Sequence, residues 1–253
     1  MPFTFAHPIF ALPFKYVKPK YFSVTGLILG SMSPDFEYFI MLEPYQSIGH
    51  SVTGLFLQAI PLCVILAVIF HSIVKECLVL HLPSNYNIDQ RTYNTLSKWR
   101  LDPKGWVVFI LSVIIGFLTH VFIDGFTHFN GYFVERYPLL REQIIYNFPL
   151  YKILQHSFSA FGLLMLTWMI ISSLYRYHEI VTTIPAVSTK QKIKFWTSVV
   201  VVAVTLTIMK LLFSSSRNKI GILVVSPITG MCLGILLVSI INRMNIITSS
   251  KHP

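Results

Sequence analysis

Residues 116–131 read GFLTHVFIDGFTHFNG, and they close an apolar run that begins near Trp106. Read as a helix, the stretch carries His120, Asp124 and His128 at i, i+4 and i+8. Each i+4 step drifts only about 40° around the axis, so the three side chains share one face. Two imidazoles and a carboxylate on one face are the donors that zinc or a similar divalent ion takes from a single element. The same pattern fits polar residues meeting water at a helix end, and for His128 alone that is the better reading. His120 and Asp124 instead lie within apolar helix, where ionisable groups are costly and mark a functional site by default.

Working outward, apolar runs of similar length recur at 52–74, 106–128, 157–175, 195–213 and 220–241. Each is close to the ~20 residues needed to cross a ~30 Å hydrocarbon core. A sixth stretch, 21–42, has the length but contains Ser31, Ser33, Pro34, Asp35 and Glu37, which makes it a broken or re-entrant span. The expected fold is therefore all-α: a polytopic transmembrane helical bundle of about six membrane segments, the first broken or re-entrant. Residues 1–253 read as one integral membrane domain, with a site-bearing core over 1–175. A cytoplasmic loop and two C-terminal scaffold helices fill 176–253.

The net charge of +10 is no nucleic-acid footprint, because the basic residues are spread over loops and serve to orient the chain. Lys75, Arg91, Lys98, Arg100 and Lys104 place the loop 75–105 in the cytoplasm. Arg176, Lys190, Lys192 and Lys194 do the same for 176–194, and Arg243 and Lys251 for the C-terminal end. The aromatic segment 129–152 balances Arg136, Arg141 and Lys152 against Glu135 and Glu142, and reads as an outer lid or lipid-contacting collar. Cys63, Cys77 and Cys232 have neither metal-ligand spacing nor a disulfide framework. His71 and His81 read as solvated histidines on the inner side. No secretory signal is evident, since Pro2, Pro8 and Pro13 interrupt the first apolar stretch, so His7 is expected to remain in the protein.

Depth links the polar residues. Asp35 lies fourteen residues beyond Tyr21, and His120 lies fourteen beyond Trp106. At 1.5 Å per residue both lie ~21 Å from the inner boundary and can meet at one level. His50 opens the next helix from outside, where Ser51 and Thr53 are also ordinary capping residues. His156 enters from the same face after the collar. For His7 two paths are open. If 21–42 crosses fully, both ends of the chain are cytoplasmic and residues 1–14 must fold back ~20 Å. If residues 1–42 form a non-crossing hairpin, the N-terminus lies outside and His7 reaches the site directly. Collected, His7, Asp35, His50, His120 and Asp124, with Glu37, His128 and His156 behind them, have the composition used by one or two catalytic zinc ions.

The segments MPFTFAHP, GSMSPDFEYF, GHS and GFLTHVFIDGFTH resemble the bacterial domain of unknown function 4184 family over about residues 1–175, and more loosely over the whole chain. More distantly, the order His, Pro-Asp, His, His-x-x-x-Asp is similar to inner-membrane proteins described as membrane-bound metal-dependent hydrolases, and to zinc-dependent phospholipase C. The resemblance implies metal ligation by His7, Asp35, His50, His120 and Asp124, with His128 and His156 as looser matches. This chain has Glu37 where the hydrolase group has a second aspartate, and only Gly49-His50-Ser51 of the HRG-x-TH segment.

The expected activity is metal-assisted hydrolysis of a phosphoester or lipid-like substrate in the outer half of a bacterial inner membrane. One or two divalent ions, zinc first, would be the cofactor, membrane lipid the partner, and Glu37 or His128 the general base. The alternative is a non-enzymatic metal- or proton-binding membrane protein or transporter built on the same residues.

Overall fold

The computed structural model describes residues 3–94, 96, 99, 102–145, 147–176 and 184–249. Lys98, Arg100 and Lys251, three of the basic residues used to orient the chain, lie outside them. Two short N-terminal helices, α1 (Pro8–Ala11) and α2 (Pro13–Val17), precede α3 (Val24–Met32) and α4 (Phe36–Met41). The long helices are α5 (Val52–Leu80), α7 (Pro103–Thr127), α9 (Leu150–Arg176), α10 (Thr189–Phe213) and α11 (Lys219–Ser249), with the shorter α6 (Ile88–Asn94) and α8 (Tyr132–Arg136) between them. Among the described residues five helices are long and apolar enough to cross a membrane, and the fold is an all-α membrane bundle. The one exception to helix is a small antiparallel hairpin, β1 (Gln143–Ile145) with β2 (Phe148–Pro149).

By its internal contacts the chain forms two compact units. One comprises Met1–Phe36, Ser47–Ala67 and Arg100–Ser172; the other comprises Glu37–Gln46, Val68–Trp99 and Ser173–Pro253. The site-bearing unit is thus discontinuous, where the sequence reads as an unbroken core up to residue 175. The reason for the excursion at 37–46 lies in side-chain bonds to the C-terminal helices. Ser226 Oγ donates to Leu42 O (2.7 Å), Thr229 Oγ1 to Phe39 O (3.1 Å), and Lys210 Nζ reaches Glu43 (2.8 Å).

In the first unit the chain begins as a helical hairpin. Thr4 Oγ1 bonds Asp35 at one end (2.6 Å), while the Phe14 and Phe22 rings meet tilted, with centroids 5.5 Å apart, and Lys15 Nζ bonds Phe22 O (2.9 Å) at the other. Residues 4–17 therefore run antiparallel to 24–35. The turn between them holds Lys18 and Lys20, with Tyr16 and Tyr21 exposed, a composition suited to the headgroup zone. Beyond the turn Ser23 caps α3 and its N–H bonds Ser112 Oγ (2.8 Å).

Helix α3 then packs along α7 at backbone contact. A Cβ on Gly30 would stand 2.3 Å from Val113 O, and one on Gly116 would stand 2.6 Å from Leu27 O. Gly26 and Gly30 on one helix and Ser112 and Gly116 on the other make the small-residue seam on which membrane helices approach closely. The broken span resolves here: Pro34 sits in a 3-10 turn, Ser33–Asp35, that ends α3. In α5, Pro61 is accommodated by a π turn over Leu55–Ala59 just ahead of it, so the helix continues.

In the second unit Lys192 is buried at the start of α10. Its ammonium donates to Leu82 O (2.8 Å), Ser84 Oγ (2.7 Å) and Asp89. Burial opposes the Asp89 charge, but the bonds from Lys192, Ser84 and the Gln90 N–H outweigh it and hold the carboxyl below the usual range. His81 is not solvated as expected: it is buried, stacks on Phe195 (4.4 Å) and bonds Cys77 O (2.7 Å). His71 stacks on Trp99 (4.4 Å). An imidazole's apolar faces make such ring contacts favourable, which the spacing of lone histidines in sequence does not reveal.

This architecture makes two testable demands. A hairpin returns the chain to the face it left, so if the five long helices each cross once, the two ends are expected on opposite faces. An epitope tag ahead of Met1 is expected on the same side as a tag inserted at Leu139, and a C-terminal tag on the other; tags on one side at both ends would restore the fully crossing first segment. Separately, Lys192→Met leaves Asp89 buried without its cation, a loss of about 3–5 kcal/mol for such pairs. Thermal unfolding in detergent should show a lower Tm for Lys192→Met, and partial recovery in the double variant with Asp89→Leu.

Candidate metal centre

Four separate stretches of the first unit bring donors to one point. The seam with α3 sets His120, whose Nδ1–H donates to Ser31 O (2.7 Å). That bond fixes the tautomer and leaves the Nε2 lone pair facing inward, the usual outer-sphere arrangement for a metal-bound histidine. Asp124 lies one turn on along the same face. The 3-10 turn presents Asp35, oriented by Thr4, and the loop before α5 supplies His50. The N-terminal hairpin places His7 against His120, with the rings stacked at 3.7 Å.

The distances suit donors that share one ion as well as a chain of hydrogen bonds. His50 Nε2 lies 3.2 Å from His120 Nε2, and Asp124 Oδ2 lies 3.2 Å from the first and 3.1 Å from the second. Metal–nitrogen bonds of ~2.0–2.1 Å put neighbouring donors of a tetrahedron about 3.3 Å apart. Asp35 Oδ1 stands 3.7 Å from both imidazoles, and His7 Nε2 stands 3.6 Å from Asp124 Oδ1. Two groups could hold a metal ion: Asp35 with His50 and His120, and His7 with His120 and Asp124.

Burial and charge point the same way. Asp35 and His120 are 0% exposed, His7 1% and Asp124 6%. Among the described residues no lysine or arginine pairs with either carboxylate; their ion-pair partners are histidines. Six buried polar atoms of the cluster have no hydrogen-bond partner: both nitrogens of His7, Asp35 Oδ1, His50 Nδ1, Asp124 Oδ1 and His128 Nε2. At about 1–3 kcal/mol for each unsatisfied group, packing alone does not offset such an arrangement. A divalent cation would neutralise the two carboxylates and engage several of these atoms at once, so the donor set fits the group.

His128 departs from the expected stripe. The helix ends at Thr127, and His128 is extended (φ −113°, ψ 146°). Its ring folds back, Nδ1 bonding Asp124 O at 3.1 Å and standing 3.5 Å from Asp124 Oδ1. With Nδ1 donating to a carbonyl, Nε2 carries the lone pair. Glu37 is buried in the first turn of α4 and begins the second unit; it is in neither donor group. His156 is exposed and also in neither group, because it faces the cleft beside the β-hairpin. Its neighbour Gln155 is the one that turns inward.

Three supporting residues have no counterpart among the sequence expectations. Thr4 and Ser31 orient Asp35 and His120, and Gly162 of α9 lets the His7 segment in. A Cβ on Gly162 would lie 2.7 Å from Ala6 O and 2.7 Å from Ala6 Cβ, and Phe3 N–H bonds Ser159 Oγ (2.9 Å) one turn away. The spaced glycines and serine of α3 and α7 are a signal in the sequence; for Thr4 and Gly162 there is none. Gly162→Leu should therefore displace His7, and with it the Thr4 bond to Asp35, without touching His50 or His120. The expected result is weaker metal binding by titration with His120 still protected from diethyl pyrocarbonate. Unchanged affinity would remove His7 from the centre.

No curated protein and no solved structure matches the chain. One family model does, the Domain of unknown function (DUF4184), over residues 1–240. The site residues all fall within that match, and the chain belongs to the DUF4184 family.

Proposed function

We propose that the protein is an integral-membrane metal-dependent hydrolase, acting on a phosphoester or lipid-like substrate at the outer half of a bacterial inner membrane. One observation carries the proposal: His50, His120 and Asp124 present their donor atoms at 3.1–3.2 Å from one another in a largely buried cluster. Zinc is the favoured ion, given imidazole and carboxylate donors at tetrahedral spacing. When bound, such an ion polarises a phosphoryl or carbonyl oxygen and acidifies water.

The chain's own residues supply the rest. His50, His120, Asp35 and Asp124 hold the ion, and His7 closes the set against His120. His128 takes the proton of the attacking water at Nε2, held in the right tautomer by its bond to Asp124 O. Its side chain is 29% exposed and that of His50 is 16% exposed, whereas those of His7, Asp35 and His120 are 0%. Water and substrate therefore approach from the His128 and His50 side.

A transport pathway is disfavoured by what lies below. From the site toward the other face, α7 turns Phe117, Val113 and Phe109 inward, all 3% exposed or less. The seam beside them is closed by backbone contact at Gly30, and no ionisable group on this stretch of α7 continues the path.

Metal analysis of detergent-purified protein is the test. The wild type should carry a stoichiometric divalent ion; His120→Ala, Asp124→Asn and Asp35→Asn should lose most of it, and His71→Ala and His156→Ala should keep it. His128→Ala should retain metal yet lose about 10²–10⁴-fold in hydrolysis of a phosphodiester or short-chain phospholipid. A wild type without metal, or His120→Ala binding as much as wild type, overturns the proposal. Metal retained with no hydrolysis across such substrates favours a non-enzymatic binding protein.

A further inference from the structure

The segment between α7 and α9 contributes no ligand to the metal centre, yet its surface is unusual for a loop. Phe129, Tyr132, Tyr137, Leu139, Ile144, Ile145 and Phe148 are each 52–59% exposed. The spanning helices also expose apolar side chains, but there hydrocarbon covers them. Tyr137, Leu139, Ile144, Ile145 and Phe148 lie outside the helices of spanning length, and Phe129 and Tyr132 lie at the C-terminal end of one. The β-hairpin makes the contrast sharpest. Every residue of β1 is exposed, so Ile144 and Ile145, pointing to opposite faces, are both uncovered. A two-stranded hairpin with no buried face has no hydrophobic reason to hold together in water. It needs an apolar phase around it.

The polar residues of the segment describe that phase. Arg136 lies over the Tyr132 ring (3.8 Å), Arg141 over Phe129 (4.8 Å) and Lys152 over Tyr151 (6.0 Å). Aromatic rings paired with basic groups are what the boundary between hydrocarbon and phosphate headgroups selects. Chain connectivity puts the segment there, since it joins the end of one spanning helix to the start of the next. Behind the hairpin is a cleft of about 390 Å³ lined by Ile145, Phe148, Ile153, His156 and Ser157. Three apolar side chains and two polar ones match an amphiphile, with its chain along the isoleucines and phenylalanine and its ester or phosphate toward His156 and Ser157.

We infer that residues 129–149 and the first turns of α9 form a lipid-docking surface, in which the hairpin is immersed in the outer leaflet and the cleft behind it takes one acyl chain of a membrane phospholipid. This surface stands apart from the metal chemistry, and its readout needs neither metal nor turnover. His156 thereby gains a role that the donor cluster does not give it: it contacts a bound lipid.

The test uses the full chain in phosphatidylcholine–phosphatidylglycerol vesicles containing a phospholipid with a photoreactive diazirine at the end of one acyl chain. After irradiation, adducts are mapped by peptide mass spectrometry. Adducts are expected on residues 143–149 as well as on the spanning helices. In Ile145→Asp with Phe148→Asp, labelling of 143–149 should fall about tenfold relative to α10 and α11, since one large apolar side chain alone contributes about that factor. Labelling of α10 and α11 reports that the variant is folded. If both fall together, the milder Phe148→Ser, judged on the same ratio, decides. Adducts confined to the spans, or an unchanged ratio in the variants, overturn the inference. So does an unlabelled hairpin in a protein that sizes as a dimer, which would assign the surface to a second copy.

Discussion

The metal centre depends on how closely α3 and α7 approach. Their backbones touch at Gly30 and Gly116, and no pair of helices bearing ordinary side chains there could do the same. The contact sets the register in which Ser31 O meets His120 Nδ1, and four residues later the chain presents Asp35. A shift of one helical turn would move Asp35 about 5.4 Å along the axis, beyond bonding reach of any ion held by His120 and Asp124. Small residues far from the chemistry thus decide whether the donors converge. The seam also explains the N-terminal hairpin: its outer strand of short helices can lay His7 on His120 only because the inner one is already pinned.

Rigid placement matters because the donors oppose one another without an ion between them. Two buried carboxylates lacking a lysine or arginine partner repel, and their desolvation is offset by the neighbouring imidazoles and, for Asp35, the Thr4 hydroxyl. The surroundings do not relax this strain. Ser31, Thr4 and the Asp124 carbonyl are each committed to one ring or carboxyl, and Gly162 leaves Ala6 no room to retreat. Preorganisation of this kind would put the free energy of a bound ion into binding instead of into folding, as a site that must hold one geometry requires.

Much of this is legible in the sequence because a membrane imposes simple rules. Five apolar runs form five helices of spanning length, and the proline and acids at 34–37 announce the break in the first segment. Counting residues from Tyr21 and Trp106 gives one depth for Asp35 and His120, which lie 3.7 Å apart. What fails depends on contacts between distant residues. The i+8 stripe assumes that α7 continues, but it ends at Thr127. Glu37 looks like a neighbour of Asp35, yet the bonds from Ser226 and Thr229 draw the residues after it to the C-terminal helices. Helical spacing cannot tell His156 from Gln155, and the inward one is Gln155.

The departure of His128 from the helix shows how a local break produces a functional group. Had the helix continued, its ring would have pointed along the same face as Asp124 and added one more donor to a cluster already holding five. Extended backbone instead lets the ring turn back on Asp124 O, which uses Nδ1 and leaves Nε2 without a hydrogen-bond partner, itself buried within a side chain that is 29% exposed. The next residues, Phe129 onward, lead directly into the exposed aromatic segment. One departure from helical backbone at His128 therefore ends α7, turns the ring back on Asp124 and starts the exposed aromatic segment. His128 and the start of the exposed aromatic segment lie at the same end of α7, so under the proposed hydrolysis a substrate drawn from the leaflet would meet His128 before the buried carboxylates.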